Sequence, residues 1–275
     1  MMHSEETAFA AQTFITYLLK LCRDLNIKLR VLEGTPSHDR NQSKHFVTIN
    51  EAMDQKCDLK YVDILDIEYI EQYDINVLYI PDEWHHDHEV IWNQVCAAMQ
   101  TKGLSHVDFI VMHGMFDYQV PRGLKLPHHN SDDYQAICKH LITIGHYHTQ
   151  SRLGKILAQG SFDRLCHGQE EDKGYYRCKV CLENPELTEV TFVVNQAAKV
   201  YKTLAVQHMT LDEVMQRYPD RYLETFRDDS YVRFTHSGDP SVLAYLQSLR
   251  LSNRKVNMEF KKIDLEGKKK EDSAV

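Results

Sequence analysis

The sequence predicts an α/β protein, with a mixed β-sheet flanked by helices and a small α+β module towards the carboxyl terminus. The first observation is that apolar runs of strand length alternate with stretches whose apolar residues recur at helical spacing. The second is a change after His148, where short strand-like segments follow one another without helices. The third is a final β-α-β-α-β order of predicted elements, which is typical of a separate small unit.

The first part of the chain begins with a long amphipathic helix and ends with a strand that leads into two histidines. The helix covers about Glu5 to Asn26, with apolar residues such as Phe14, Leu18 and Leu25 at helical spacing. The elements that follow are strands at 29–32 and 74–80, a helix at 89–100, a strand at 107–112, a helix at 132–139 and a strand at 141–144. Because strands and helices alternate here, we expect helices packed on a sheet.

The sequence after His148 predicts a strand-rich segment and then a second unit that begins near Ala197. Consecutive strands at 155–158, 174–180 and 190–194 predict a largely antiparallel arrangement. In the second unit, Thr210 and Glu213 form a capping box for a helix at 211–217, and Pro240 opens another helix that runs to Leu251. Strands at 200–206, 231–235 and 256–263 complete this unit. The predicted domains are therefore residues 1–195, an α+β module of residues 196–265 and a solvated tail of residues 266–275.

The composition is that of a globular protein that works in a reducing compartment. Hydrophobic residues make up 43% of the 275 residues and charged residues 26%. A net charge of -8 weakens a nucleic-acid function, although a locally basic or metal-loaded groove remains compatible with it. Seven scattered cysteines do not suggest a disulfide framework, and neither a signal peptide nor a membrane-spanning run is present in the sequence. We expect a cytoplasmic protein with no membrane association.

Three strand-like runs end in histidine beside glycine, which predicts a metal site. His146 and His148 follow the run 141–144, His113 follows the run 109–112, and His38 lies in the loop after 29–32. Imidazole is the commonest metal ligand, and open α/β sheets place their chemistry beyond the carboxyl ends of the strands. If the backbone stays extended after residue 144, His146 and His148 face the same side. The candidate metal ligands are His113, His146 and His148.

Other polar clusters allow more than one interpretation. Ser37, His38 and Asp39 are not expected to form a nucleophilic triad, because triad members meet through the fold rather than as sequence neighbours. We expect His38 to act as a general acid with Asp39 orienting its ring. The run His85-His86-Asp87-His88 has the composition of a metal cluster, but its place before a helix favours Asp87 as an N-cap. His128-His129 lies in a polar loop that can approach a substrate.

Taken in order, these motifs resemble the later motifs of the calcineurin-like metallophosphoesterase superfamily. They are Gly-x-x-x-His-Asp at 34–39, His-Gly at 113–114, Gly-His-x-His at 145–148 and Gly-Ser at 160–161. The stretches 32–39 and 158–163 are similar to the nuclease subunit of SbcCD-type DNA repair exonucleases, particularly phage-type members, and the resemblance covers about residues 1–195. It implies a metallophosphoesterase-like mixed β-sheet sandwich, with residues 196–265 similar in kind to the capping domain that guides DNA.

The resemblance implies a metal-dependent phosphodiesterase that is a DNA exonuclease subunit in DNA repair or phage DNA metabolism. It implies two divalent ions, usually Mn²⁺, with His113 and His146 on one ion and His148 on the other. His38 would protonate the leaving oxygen beside Asp39, and we expect Arg40 and Tyr147 to contact the substrate. The implied partners are DNA, an SbcC-like ATPase subunit and a second copy of the chain, in the host cytoplasm if the protein is phage-encoded.

The sequence departs from the family pattern in its first metal motifs. Neither Asp-x-His nor Gly-Asp-x-x-Asp occurs ahead of Gly34, and Ser37 stands where the family has an asparagine ligand. A late start codon, a split or truncated gene and a degenerate protein each account for this pattern. Two alternative functions therefore stay open. One is a non-catalytic truncated homologue that binds DNA or the ATPase, and the other is a small-substrate phosphoesterase.

Overall fold

The structure is a computed structural model that describes residues 5–36, 42–82, 87–252 and 255–263, with only the backbone described for residues 5–8. The chain divides into two compact units. The first unit comprises Met1–Gly160 and Tyr176–Phe192, and the second unit comprises Ser161–Tyr175 and Val193–Val275. Across these described ranges, none of the helices is both long enough and apolar enough to cross a membrane.

A six-stranded mixed sheet forms the centre of the first unit. Its strands are β3 (Asp66–Ile70), β4 (Ile75–Ile80), β5 (Val107–Gly114), β6 (Cys138–His146), β7 (Ser151–Leu153) and β8 (Ile156–Ala158). Their order across the sheet is β3-β4-β5-β6-β8-β7. The four central strands β4, β5, β6 and β8 are parallel to one another, whereas β3 and β7 pair antiparallel at the two edges. The predicted mixed sheet is confirmed.

The first unit also contains helices, and the apolar spacing predicted all of those that follow except His45–Ala52. They are α1 (Glu5–Asp24), α2 (His45–Ala52), α3 (His88–Thr101) and α4 (Ser131–Ile137). Asp87 caps α3 by accepting a hydrogen bond from the backbone N–H of Glu89, which confirms its predicted N-cap role. One face of α3 buries Ile91, Val95 and Met99 in the main core, together with β4, β5 and β6 residues. Burial of these apolar faces is the main force that holds the helix on the sheet.

The strands at 59–62 and 66–70 and the helix α2 were not predicted, because charged residues hide their periodicity, whereas the strand at 29–32 was predicted. Strand β1 (Leu29–Leu32) pairs in parallel with β2 (Leu59–Val62), and α1 and α2 pack a small apolar core beside this pair. The charged residues of this region are neutralised within the fold. Arg30 makes ion pairs with Glu68 and Asp58, and Lys60 pairs with Asp66 at 2.7 Å. Charged side chains in these strands form ion pairs with side chains on other strands. In the sequence alone, such a charged segment has the pattern of a polar loop.

The segment after His148 differs from the predicted antiparallel series. β7 and β8 pair antiparallel, but β8 also pairs in parallel with β6 and so extends the main sheet. Strands β9 (Gly174–Lys179) and β10 (Glu189–Val194) form a separate two-stranded sheet. The expectation of consecutive antiparallel strands is wrong for β8. All three of its residues are buried, and the parallel position beside β6 is where they join the main core.

The second unit has the predicted β-α-β-α-β order. It contains β11 (Tyr201–Ala205), α5 (Leu211–Arg217), β12 (Tyr231–His236), α6 (Pro240–Ser252) and β13 (Asn257–Lys262). The three strands are parallel in the order β11-β12-β13, and the Thr210–Glu213 capping box is present at α5. One face of the sheet packs on a core that includes Leu204, Phe234 and Leu246.

Residues 161–175 also belong to the second unit, ahead of the boundary that the sequence suggested. Asp163 accepts a hydrogen bond from the backbone N–H of Lys199 at 2.6 Å. Glu170 accepts one from the backbone N–H of Thr203 and another from Lys202 Nζ. These bonds satisfy donors on the edge strand β11 and at Lys199, two residues ahead of it. A sequence pattern cannot reveal that their acceptors lie in a loop some 30 residues upstream.

We expect Ile142→Ala to lower the free energy of unfolding of the first unit by about 2–5 kcal/mol. Ile142 is fully buried in β6, so its truncation removes apolar contacts and leaves a cavity. Thr143→Ala is the control in the same strand, because Thr143 is exposed, and it should change the stability by less than about 0.5 kcal/mol. Urea denaturation followed by tryptophan fluorescence measures both variants, since Trp92 packs against this core. Equal effects of the two substitutions would contradict the assignment of the core.

Candidate metal centre

Three neighbouring parallel strands end at one edge of the main sheet, and each delivers a possible metal ligand there. β4 ends at Ile80 and is followed by Pro81 and Asp82, β5 ends with His113-Gly114, and β6 ends with His146. In the register of β5 and β6, His113 is opposite Gly145 and Gly114 is opposite His146. Because parallel strands end on the same side, Asp82, His113 and His146 come together.

The donor atoms of these three side chains lie at distances that suit one metal ion. Nδ1 of His113 is 3.1 Å from Oδ2 of Asp82, and Nδ1 of His146 is 3.7 Å from the same oxygen. One donor atom from each residue lies within 4.8 Å of the other two. Two ligands that are each about 2.1 Å from an ion and at right angles to each other are about 3 Å apart. The residues therefore fit a single divalent cation after small movements.

The ring of His113 gives independent support for this fit. Its Nδ1 atom is buried and makes no hydrogen bond within the described part of the chain, although a carboxylate oxygen lies only 3.1 Å away. The approach is close, but the angles are not those of a hydrogen bond. A buried ring nitrogen without a hydrogen bond costs free energy, because it has lost its contact with water. Coordination of a cation by its lone pair would remove that cost.

The loop after β1 holds the carboxylate in position. Thr35 donates a hydrogen bond from its hydroxyl to Oδ2 of Asp82. The backbone N–H of Asp82 donates to the carbonyl oxygen of Glu33 at 3.4 Å. Partners of this kind orient a ligand and tune its affinity for a metal. The loop that the sequence identified therefore reaches the site at Thr35, while His38, Asp39 and Arg40 lie outside the described residues.

Backbone conformation at the strand ends makes room for the two imidazole rings. His146 has a φ of +118°, a left-handed value that side chains other than glycine rarely adopt and that stores strain. A Cβ atom at Gly145 would lie 3.1 Å from Cδ2 of His113, so a glycine is needed for the present position of that ring. The rings of His113 and His146 meet edge to face, with centroids 5.2 Å apart. Such strain is typical of positions that serve a site rather than stability.

A cavity of about 250 Å³ lies beside the three candidate ligands. Its lining includes two further histidines, His88 and His129, whose rings meet edge to face with centroids 4.1 Å apart. Burial and the nearby His88 lower the pKa of His129 to about 3. The hydroxyl of Tyr134 lies 3.1 Å from Nδ1 of His129 and fixes the orientation of this ring. His129 is therefore neutral near pH 7. A positive charge on its ring would oppose the binding of a cation, and the neutral ring does not.

The structure brings together two of the three predicted metal ligands. His113 and His146 lie in the donor group, whereas His148 is exposed and is not a member of it among the described residues. The expectation that His146 and His148 share a side required an extended backbone, and the φ of His146 ends that geometry. Tyr147 is exposed and does not line the cavity.

Sequence reasoning missed Asp82, although a signal for it was present. Pro81-Asp82 follows the strand-like run 74–80 in the same way that His113 follows its strand. An acidic residue directly after a buried strand deserves the same weight as a histidine there, because both lie at the carboxyl edge of the sheet. His129 lines the cavity, which agrees with the expectation that its loop can approach a substrate, and His88 also lines the cavity although the N-cap interpretation of its run gave it no role there.

We expect Mn²⁺ or Zn²⁺ to raise the melting temperature of the chain, because a cation that binds only the folded state stabilises it. Asp82→Asn and His146→Ala should each weaken binding at least about tenfold, since even partners of a ligand are worth that much. His106→Ala is the matched control, because His106 is exposed and outside the site. Thermal shift over a range of ion concentrations measures the affinities. Equal affinities for all four proteins would contradict the centre.

Stability should fall as the pH is lowered from 7 to 5, because of His129. In the unfolded chain this histidine takes a proton near its ordinary pKa of 6.5, whereas in the folded protein its pKa is about 3. Protonation below pH 6.5 therefore favours the unfolded state, and about 2 kcal/mol is lost over this range. Urea denaturation at both pH values should show a shallower pH dependence for His129→Gln than for the native chain. An unchanged dependence would show that His129 is not held neutral.

Comparison of the chain with protein-family models finds no match, and comparison with curated proteins finds none either. The functional interpretation of this centre therefore rests on its geometry and on the motifs in the sequence.

Proposed function

We propose that the chain is a metal-dependent phosphodiesterase, and specifically a DNA exonuclease subunit with a metallophosphoesterase-like sandwich in its first unit. The observation that carries this proposal is the group of Asp82, His113 and His146 at the carboxyl edge of the parallel strands. Histidine and carboxylate ligands suit Mn²⁺, Zn²⁺ and Fe²⁺, and such ions serve hydrolysis of phosphoesters. The proposal includes a cytoplasmic location and an ATPase partner, as the sequence resemblance implies.

The residues of the site divide the work as follows. His113 and His146 offer neutral nitrogen donors, and Asp82 offers a negative charge that partly balances a divalent cation. Thr35 keeps the carboxylate of Asp82 oriented towards both rings. When bound, a divalent cation supplies positive charge that polarises a phosphoester and offsets the negative charge that develops during its cleavage. The cavity beside the donors has room for a phosphate group with its neighbouring atoms.

His129 is excluded as the proton donor for the leaving oxygen. A general acid must carry the proton at the working pH, whereas the low pKa of His129 keeps its ring neutral. We therefore retain His38 for this role. Its loop approaches the centre at Thr35, which hydrogen-bonds to Asp82.

A non-catalytic function is the second candidate, and the number of donors favours it. The described residues bring together one group of three donors, which accounts for one ion rather than the pair that the resemblance implies. A chain with one structural ion would still fold and bind DNA or a partner ATPase. Metal stoichiometry and hydrolysis separate the two candidates.

Linear DNA and bis-p-nitrophenyl phosphate should be cleaved in the presence of Mn²⁺ and not in the presence of EDTA. Asp82→Asn and His146→Ala should lower the rate at least about 100-fold, because cation stabilisation of the transition state is worth several kcal/mol. His106→Ala should retain the full rate. Monoester cleavage much faster than diester cleavage would instead indicate a small-substrate phosphoesterase.

His38→Ala should separate ion binding from catalysis. We expect this variant to bind Mn²⁺ with the native affinity while its rate of diester cleavage falls by about 10²–10⁴, the usual contribution of a general acid. Calorimetric titration gives the affinity, and release of nucleotides from linear DNA gives the rate, because the alkoxide that leaves from DNA requires a proton. A native chain that binds DNA and one ion per chain without any cleavage would favour the non-catalytic candidate.

A further inference from the structure

One face of the three-stranded sheet in the second unit is only partly covered. Tyr201, Tyr231 and Arg233 on it are half-buried, and the ring of His167 meets that of Tyr201 edge to face with centroids 5.1 Å apart. Helices and core residues cover the other face, which carries Leu204, Val232 and Met258. Because side chains alternate along strands, the partly covered face carries the residues between them. Two rows run across it in register, Tyr201-Tyr231-Asn257 and Thr203-Arg233-Glu259.

The first of these rows is an aromatic ladder that stops one strand short. The rings of Tyr201 and Tyr231 are parallel within 8°, and their centroids are 4.6 Å apart. This distance is close to the spacing of neighbouring strands, so the two rings stack face to face, one on each strand. The third position of the row is Asn257, which is exposed and has no ring. One face of the Tyr231 ring therefore stacks on Tyr201, and its other face is directed towards the position of Asn257 on β13.

A cavity of about 320 Å³ occupies this position, and its charges are balanced. Arg233 donates from Nε and Nη2 to one oxygen of Glu259, at 3.1 and 3.0 Å. His167 also lines the cavity, and burial together with Arg233 lowers its pKa, so its ring is neutral near pH 7. A cavity without surplus positive charge does not select a free phosphate. An aromatic face above an amide suits a flat, uncharged ring with hydrogen-bonding edges.

We propose that this cavity binds an unpaired nucleobase of single-stranded nucleic acid, stacked on Tyr231 with its edge towards Asn257. Lys261 is exposed on the same face, two residues beyond Glu259, where it can approach the phosphates that flank the base. Base stacking on aromatic side chains is largely independent of sequence, which suits a protein that processes DNA of any sequence. The choice of a nucleobase over other flat rings rests on the proposed function. The incomplete aromatic ladder is a feature of the structure and is independent of that function.

Fluorescence of 2-aminopurine tests this site directly. The full chain is titrated in EDTA into a single-stranded oligonucleotide with one central 2-aminopurine, and we expect stacking to quench its fluorescence. Tyr231→Leu should weaken the quenched complex on the order of tenfold. Tyr73→Leu is the matched control, because Tyr73 is 49% exposed in the first unit, and it should leave the titration unchanged.

A second variant decides the outcome even if Tyr231→Leu disturbs folding. Asn257→Tyr completes the ladder with the protein's own ring at an exposed strand position. It should abolish quenching while leaving the melting temperature unchanged or higher. Native quenching by Asn257→Tyr would overturn the proposal, as would equal quenching when the 2-aminopurine is paired in a duplex.

This test is independent of the metal centre. His146→Ala should quench 2-aminopurine like the native chain although it loses hydrolysis. Hydrolysis by the native chain without quenching would overturn only the stacking site. Quenching that responds to Asn257→Tyr in a chain without Mn²⁺-dependent hydrolysis would overturn only the proposed nuclease function.

Discussion

Parallel pairing of β4, β5 and β6 is the constraint on which the candidate centre depends. The pairing places three strand ends at one edge of the sheet, and the register sets His113 opposite Gly145. A shift of one residue would turn the ligands to the other face, because side chains alternate along a strand. Buried residues such as Ile110 and Ile142 resist that shift, since it would expose them. The main core therefore fixes the positions of the ligands.

Within a small volume, the centre contains a negatively charged carboxylate and keeps a nearby histidine free of positive charge. Asp82 brings negative charge to two imidazole nitrogens, while His129 in the lining of the cavity stays neutral because burial lowers its pKa. A protonated histidine at that position would compete with a cation for the same carboxylate. The strained backbone of His146 is a cost that folding alone does not explain, as is the buried Nδ1 of His113, which makes no hydrogen bond with the described residues. Both are reasonable if a cation occupies the site.

The second unit uses the two faces of its sheet in different ways. Its covered face follows the apolar periodicity of the strands and gives the unit its own core. Its other face concentrates aromatic and polar side chains in rows set by the parallel register of β11, β12 and β13. Glu170 protects the edge of β11 by accepting from the backbone N–H of Thr203. The two faces of one sheet thus differ in composition, and only the covered face supplies the apolar core of the unit.

Local patterns in the sequence determined the long elements, because apolar periodicity and capping residues such as Asp87 and Thr210 are sufficient to define them. They also identified His113 and His146, through their place after buried strands. Only the tertiary structure decided that Asp82 joins them and that β8 pairs with β6, since both depend on strand order rather than on local pattern. The positive φ of His146 likewise follows from packing at the edge of the sheet, and it separates His148 from the donors that the sequence had grouped with it.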